Sequence, residues 1–245
     1  MDTGLKGRTV LITGASRNMG RETALAFALE GANLSLCARE RTDDLMKVAD
    51  EARQLGVNVV AEICDVTDPG AVAGFVKKTR DRFDRVDVAV NLAGYRCEGK
   101  FLNQDFDSWK TNIDVNLGGP FHICRSVIPL MMERRWGRII NISGIAPYAG
   151  FGAAKAMVKL GTVGFTRGLA REFGEYNITA NCVGPGAIGR QVAANENEHA
   201  LDPTQPIKRK GMAQEVVSTI LYLASENAGF ITGQCYLVNG GKYFQ

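Results

Sequence analysis

The residues able to do chemistry in this sequence fall into two sets. The first is a turn of small residues, Thr13-Gly14-Ala15-Ser16-Arg17-Asn18-Met19-Gly20, close to the N-terminus. Glycines at such a turn let a backbone approach a pyrophosphate, and a helix beginning there offers free N–H donors and a partial positive charge. The second set is Lys155 and Lys159, with Ser143 and Tyr148 upstream and Asn116 further back. Positions i and i+4 share one face of a helix. Two ammonium groups on one face repel, which depresses at least one pKa. A lysine brought toward neutrality can act as a general acid or form a Schiff base with a carbonyl.

The elements that must position these residues are legible from their apolar patterns. Val10-Leu11-Ile12 is a short apolar run of the kind a buried parallel strand shows. A helical pattern follows at Ala24, Leu25, Phe27, Ala28 and Leu29. Further strands are expected at Asn33–Cys37, Val57–Cys64, Val86–Val90, Gly137–Ser143 and Asn177–Val183, with a last one within Phe230–Gly241. Helices are expected over Asp43–Leu55 and Ala71–Phe83, and a long one starts across Trp109–Leu117. Strands alternating with helices imply an α/β fold, a doubly wound, Rossmann-like parallel sheet with helices on both faces. Residues 1–245 are expected to form a single domain for dinucleotide binding and catalysis. The polar, poorly periodic stretch 191–205 reads as a substrate lid.

Composition removes several function classes. With 45% hydrophobic and 22% charged residues in 245, the chain is an ordinary globular protein with a sizeable core. A net charge of +3 without a basic block gives nucleic acid no evident footprint. No apolar run approaches a membrane span. The first strand starts within ten residues of Met1, leaving no room for a signal peptide, so a cytoplasmic protein is expected. Cys37, Cys64, Cys97, Cys124, Cys182 and Cys235 are scattered, without a C-x-x-C pair, and read as buried free thiols with no metal site. Of the two histidines, His122 lies in an apolar helical run and His199 in the polar stretch, so a Ser-His-Asp hydrolase has little support.

The end of the second strand bears on cofactor choice. NAD-selective folds place an acid there for the ribose hydroxyls, whereas an Arg suits a 2′-phosphate. This chain has Ala38-Arg39, with Arg17 as a second cation and Glu40 placed to neutralise Arg39 in part. NADP(H) is expected rather than NAD(H).

Gly14-x3-Asn18-x-Gly20 resembles the TGxxxGxG turn of the short-chain dehydrogenase/reductase family, with Asn18 at the middle glycine. Asn is the best non-glycine occupant of a left-handed backbone position. The resemblance extends over essentially the whole chain, and in form is closest to 3-oxoacyl-carrier-protein-reductase-like members. It implies that Gly14, Ser16, Arg17, Asn18, Met19 and Gly20 cradle the pyrophosphate. It assigns Asp65, with Val66, to the adenine, and the Asn91-Leu92-Ala93-Gly94 turn to the family's NNAG turn, through Asn91, Ala93 and Gly94. Pro185, Gly186 and Ile188 match the loop that meets the nicotinamide carboxamide, and Arg190 stands where a Thr is frequent. Asn116 matches the Asn that holds a water beside the active-site Lys. Relatives are homo-oligomers, which implies a dimer or tetramer here.

At the chemistry the pattern departs. The run from Lys159 to Ala170 matches the family without a gap, so Lys159 is the family Lys that binds the nicotinamide ribose. Lys155 then stands where the family has its proton-transferring Tyr, and Gly144 where it has its Ser, with Ser143 one residue earlier and recoverable by a one-residue slip. Lys155, Tyr148, or a water relayed by Asn116 and Lys159 remain as handlers of the proton, with Tyr95 a weaker candidate. Loss of a positioned acid costs roughly 10²–10⁴ in rate unless it is replaced. The leading expectation is an NADP(H)-dependent oxidoreductase acting on a carbonyl or secondary alcohol, with a β-ketoacyl-type small molecule as one candidate substrate and an atypical proton donor. The alternative is an NADP(H)-binding protein that has left hydride transfer behind, as a sensor, scaffold, isomerase or cyclase.

Overall fold

The structure is a computed structural model, and it describes residues 2–97, 99–150, 152–189 and 205–244. Seven strands form one sheet: β1 (Thr9–Thr13), β2 (Asn33–Ala38), β3 (Val59–Ile63), β4 (Val88–Asn91), β5 (Gly137–Ile142), β6 (Ile178–Pro185) and β7 (Cys235–Val238). The helices are α1 (Asn18–Leu29), α2 (Thr42–Gln54), α3 (Pro69–Phe83), α4 (Phe106–Ile113), α5 (Gly119–Arg134), α6 (Ala146–Ala149), α7 (Ala153–Phe173) and α8 (Ala213–Ala224). The strand order is β3-β2-β1-β4-β5-β6-β7 and every pair is parallel. This is the doubly wound α/β fold expected from the alternation of strand and helix patterns.

Side chains from successive strand residues enter opposite faces, and the two faces have separate cores. Val10, Ile12 and Ile140 pack with Phe27 of α1, Leu45 of α2 and Ile220 of α8. Leu11 and Ile139 pack with Phe75 of α3, Ile123 of α5 and Leu169 of α7. Strands covered on both sides need apolar residues at nearly every position, which is why they read as runs. All six cysteines are buried. Among the described residues, no helix is long and apolar enough to cross a membrane.

The chain winds outward from β1 to β3, then returns to lay β4 on the other side of β1. The crevice where the winding reverses, beyond the carboxyl ends of β1 and β4, is where such sheets bind ligands. Both glycine turns lie there.

One element departs from the sequence reading. The long helix expected from Trp109 is broken by a π turn, Asp114–Gly118, between α4 and α5. Single π turns inside helices widen the backbone locally and frequently mark functional sites. The last strand covers only Cys235–Val238 of the expected region, because Gly233 adopts a left-handed turn (φ +72°) just before it. The lid expected at 191–205 lies outside the described residues except for Gln205, as do Arg190 and His199.

Candidate active site

The turn after β1 is shaped by three backbone constraints. Gly14 has φ +68°, and a Cβ there would lie 2.8 Å from the Ala93 nitrogen. Gly20 is tighter still: its Cβ would lie 2.1 Å from the Gly14 carbonyl oxygen. Asn18, the first residue of α1, has φ +47°, the left-handed conformation for which Asn is tolerated. The result is a side-chain-free turn pressed against the Asn91–Gly94 turn, with the N-terminus of a 12-residue helix opening onto it. Those features fit a pyrophosphate, whose oxygens need approaching N–H groups. Thr13 Oγ1 accepts from the Ala93 N–H at 3.1 Å, locking the two turns together. Thr13 had no signal of its own beyond its place before Gly14. Ser16 is buried, Arg17 is exposed at the start of α1, and Met19 packs against the core.

At the other end of the crevice, Asp65 Oδ1 accepts from the Thr67 N–H (2.9 Å) and hydroxyl (2.8 Å), which fixes the turn after β3. Val66 is buried against Gly119, where a Cβ would come within 2.8 Å of it. Arg39 follows β2 directly and is exposed, with its Nε and Nη2 on Glu40 Oε1 at 2.8 and 2.5 Å. Asn91 turns its side chain into the core, donating to Asn141 Oδ1 at 2.8 Å, so only the backbone of its turn borders the crevice. Gly94 lies over Asn116, with room for ordinary contact to Asn116 Oδ1.

The π turn sets the reactive end. It places Asn116 so that Nδ2 donates to the Tyr95 carbonyl (2.9 Å) and the Asn112 carbonyl (2.9 Å), while Oδ1 accepts from Lys159 Nζ at 3.3 Å. Lys159 Nζ also donates to the Ile142 carbonyl at 3.0 Å. Asn112, which donates to the Ala154 carbonyl at 3.1 Å, ties α4 to the first turn of α7. Sequence reasoning passed over Asn112, although its i−4 spacing from Asn116 was the available signal. Lys155 stands exposed one turn before Lys159 on α7.

The pKa of Lys159 falls to about 8. Burial is the larger cause, followed by the charge of Lys155; Arg96 adds a smaller push in the same direction and Cys182 opposes it. A folded pKa below the unfolded 10.5 means that the native state binds fewer protons between pH 8 and 10.5. Stability attributable to this group is therefore lowest below pH 8 and rises across that window. Lys159→Met should abolish the rise, read as the difference between wild-type and variant denaturation free energies from pH 7 to 10.5. Parallel curves would contradict the assignment.

The hydroxyl of Ser143 is buried and donates to the Lys159 carbonyl at 3.0 Å, which pins β5 to α7. Gly144 occupies the next position, and a Cβ there would meet only the Pro185 oxygen, at 3.9 Å. Tyr148 packs with Val163, Cys182 and Cys235. Burial and a hydrogen bond with Cys235 raise its pKa above the ordinary phenol value, so it is a weak acid at neutral pH. Tyr95 is engaged with Ser108 Oγ at 3.0 Å. Beyond β6, Gly186 donates to the Val238 carbonyl (2.9 Å) and Ile188 bridges to Gly211, holding the Pro185–Ile188 segment against β7 and the chain before α8.

The fold and the glycine turn together define a dinucleotide-binding protein of the Rossmann type. Residues 14–242 match the family model described as "Enoyl-(Acyl carrier protein) reductase". The chain is 36% identical over 243 residues to the (2S)-[(R)-hydroxy(phenyl)methyl]succinyl-CoA dehydrogenase subunit BbsD of Thauera aromatica, covering 98% of each. It is 35% identical over 243 residues to the 3-oxoacyl-[acyl-carrier-protein] reductase FabG of Escherichia coli, covering 97% of this chain and 98% of that protein. Among solved structures it is similar to a Serratia marcescens short-chain dehydrogenase/reductase mutant, with TM-score 0.90, 30% identity and coverage of 97% and 98%. An NAD+-bound xylitol dehydrogenase matches with TM-score 0.87, 28% identity and coverage of 97% and 99%. The chain belongs to the short-chain dehydrogenase/reductase family and is an oxidoreductase.

Proposed function

We propose that the protein is an NADP(H)-dependent oxidoreductase of carbonyl compounds or secondary alcohols, of the 3-oxoacyl type, in which Lys155 handles the proton. The observation that carries this reading is Lys159 held by Asn116 and Ile142, with a second lysine one helical turn away. Lys159 has both contacts committed to the protein, so its charge acts on its surroundings from a fixed point. Lys155 sits at the position from which the family delivers a proton, and its exposed location keeps it in exchange with solvent. Tyr148 is disfavoured for that role by its raised pKa and its engagement with Cys235. The similarity to acyl-carrier-protein reductases and to a succinyl-CoA dehydrogenase subunit supports an acyl thioester substrate.

When bound, the nicotinamide cofactor supplies or takes up the hydride. The chain's part in holding it rests on the Gly14–Gly20 turn and the start of α1 for the pyrophosphate. Asp65 and Val66 border the adenine, the backbone of Asn91, Ala93 and Gly94 floors the crevice, Lys159 reaches the ribose, and Pro185, Gly186 and Ile188 meet the carboxamide. The choice of NADP(H) rests on Arg39 and Arg17 beside a strand end without an acid. The Arg39–Glu40 pair does not argue against it, since an exposed ion pair contributes only about 0–1 kcal/mol and yields to a phosphate.

Arg39→Ala should weaken NADPH binding about tenfold or more and NADH binding little, by titration of the free protein with each cofactor. Equal losses would remove the selectivity claim. The redox reading itself is tested by NADPH oxidation with a panel of ketones and 3-oxoacyl thioesters. Tight NADPH binding with no turnover across the panel would favour a cofactor-binding protein without hydride transfer, the reading suggested by Gly144 and Lys155.

We also propose that the chain works as a homo-oligomer. Phe106, Phe121 and Leu160 leave apolar surface exposed on α4, α5 and α7, and Phe230 and Phe244 do so near β7. Sedimentation of a monomer at micromolar concentration would oppose this.

A further inference from the structure

A series of buried amides crosses the reactive end in one direction. The Ala154 carbonyl can only accept, so Asn112 turns its Nδ2 to it at 3.1 Å and its Oδ1 the other way. Asn116 meets that oxygen with Nδ2 at 3.0 Å, and the same nitrogen faces the carbonyls of Asn112 and Tyr95, both at 2.9 Å. Three acceptors around one amide nitrogen leave Asn116 a single orientation, with Oδ1 toward Lys159 Nζ at 3.3 Å. The series therefore begins and ends on α7, at Ala154 and Lys159, and it brackets the turn that carries Lys155. Asn112 and Asn116 are both buried, so the bonds form at low local dielectric, where their directions are strongly enforced.

We infer that Asn112 is a positioning residue for the reaction: its side chain sets the first turn of α7, and with it Lys155, at a fixed place relative to the Asn116–Lys159 pair. The inference deepens the reading of the site as an oxidoreductase centre and rests on it for the reaction. Asn112 acts through its neighbours, since its amide grips the residue before Lys155 and directs the residue that holds Lys159. Proton transfer depends on such placement, because a displacement of about 1 Å costs roughly 10²-fold in rate. Positioning is separable here from stability. In Asn112→Leu the two hydrogens of Asn116 Nδ2 keep the main-chain carbonyls of Asn112 and Tyr95, and Ala154 keeps its place in the helix. No buried donor is orphaned, so the variant is expected to fold. Asn112→Asp keeps an acceptor for Asn116 but sets an oxygen against the Ala154 carbonyl. It also brings a negative charge near Lys159, which is otherwise faced by Lys155 on α7, Arg96 after β4 and Cys182 on β6. The carboxylate of the π turn, Asp114, is paired with Lys110.

The test reads Lys159 and turnover separately. Protein labelled with carbon-13 lysine would be titrated by NMR as wild type, Asn112→Leu and Asn112→Asp, with Lys159→Met identifying the resonance. Asn112→Leu should lower the midpoint of Lys159, because Asn116 is held less firmly as the acceptor for its ammonium, and Asn112→Asp should raise it through the added charge. With NADPH and a 3-oxoacyl thioester, kcat should fall about 10–100-fold in both variants while KM for NADPH stays within about twofold. The alkaline limb of the kcat profile should move in the same direction as the NMR midpoint in each variant. A residue that only filled space would move neither the midpoint nor the limb. An unshifted midpoint in both variants, or wild-type kcat in Asn112→Leu, would overturn the inference. Asn112→Asp reads the same quantities should Asn112→Leu fail to fold. The two levels stay distinct: the expected midpoint shifts in a wild type without turnover would sink the oxidoreductase reading and leave the hold of Asn112 on Lys159 standing.

Discussion

Replacing Gly144 by Ser together with Lys155 by Tyr is expected to raise the rate of carbonyl reduction by about tenfold or more, because the pair adds a hydroxyl to hold the carbonyl oxygen and exchanges the amine of Lys155 for a phenol made more acidic by Lys159. The structure allows both changes. A Cβ at Gly144 meets only the Pro185 oxygen at 3.9 Å, so a Ser hydroxyl enters open space beside the reactive end. Lys155 is exposed in the first turn of α7, one helical turn before Lys159, so the larger phenol does not have to fit into the core. Removing the Lys155 charge also relieves one of the causes that hold Lys159 near 8, so the pKa of Lys159 should rise. A cationic Lys159 would in turn lower the pKa of the new Tyr. The gain belongs to the pair, since Ser without an acid, or Tyr without a partner for the carbonyl oxygen, completes only half of the arrangement. Turnover of NADPH with a 3-oxoacyl thioester, measured for both single variants and the double, decides it. An unchanged or lower rate in the double variant would mean that the added hydroxyl and phenol supply nothing that the amine of Lys155 lacks.

Gly20→Ala is expected to weaken NADP(H) binding by about 10²-fold or more and to lower stability by about 1–3 kcal/mol. Its Cβ would sit 2.1 Å from the Gly14 oxygen, 2.9 Å from the Gly14 carbonyl carbon and 3.0 Å from Ala15 Cα, all backbone. Backbone cannot rotate aside as a flexible side chain can, so the start of α1 must move away from the turn. The N–H groups that approach the pyrophosphate move with it, and losing two charge-assisted hydrogen bonds accounts for the affinity. Gly74→Ala is the matched control. It lies in α3, far from the crevice, with nothing within 4 Å of its Cβ. There the exchange should stabilise the protein by about 0.5–1 kcal/mol and leave cofactor binding alone. Thermal unfolding and calorimetric titration of the two variants read both effects. Wild-type affinity in Gly20→Ala would refute the phosphate assignment of the turn.

Much of this protein was legible in the sequence because the relevant signals are local. The strand runs, the helical periods and the glycine turn are set by neighbours within a few residues, and they suffice for a parallel α/β sheet. The left-handed Asn18 was readable from residue type, since few side chains tolerate that conformation. So was the placement of Lys155 and Lys159 on one helix face, which follows from spacing alone. Even the depressed lysine pKa could be anticipated, although not that burial would outweigh the neighbouring charge.

What tertiary structure decided lies in contacts between segments distant in the chain. Whether a serine faces a pocket or the core depends on what packs against its strand, and Ser143 is taken by the Lys159 carbonyl across from it. Tyr148 is captured by a cysteine on β7. The π turn has no motif; it arises where α4 and α5 must join while Asn116 satisfies Tyr95, Asn112 and Lys159 at once. Local periodicity determines which elements form. The direction of each polar side chain follows from which buried donors and acceptors find partners once those elements have packed.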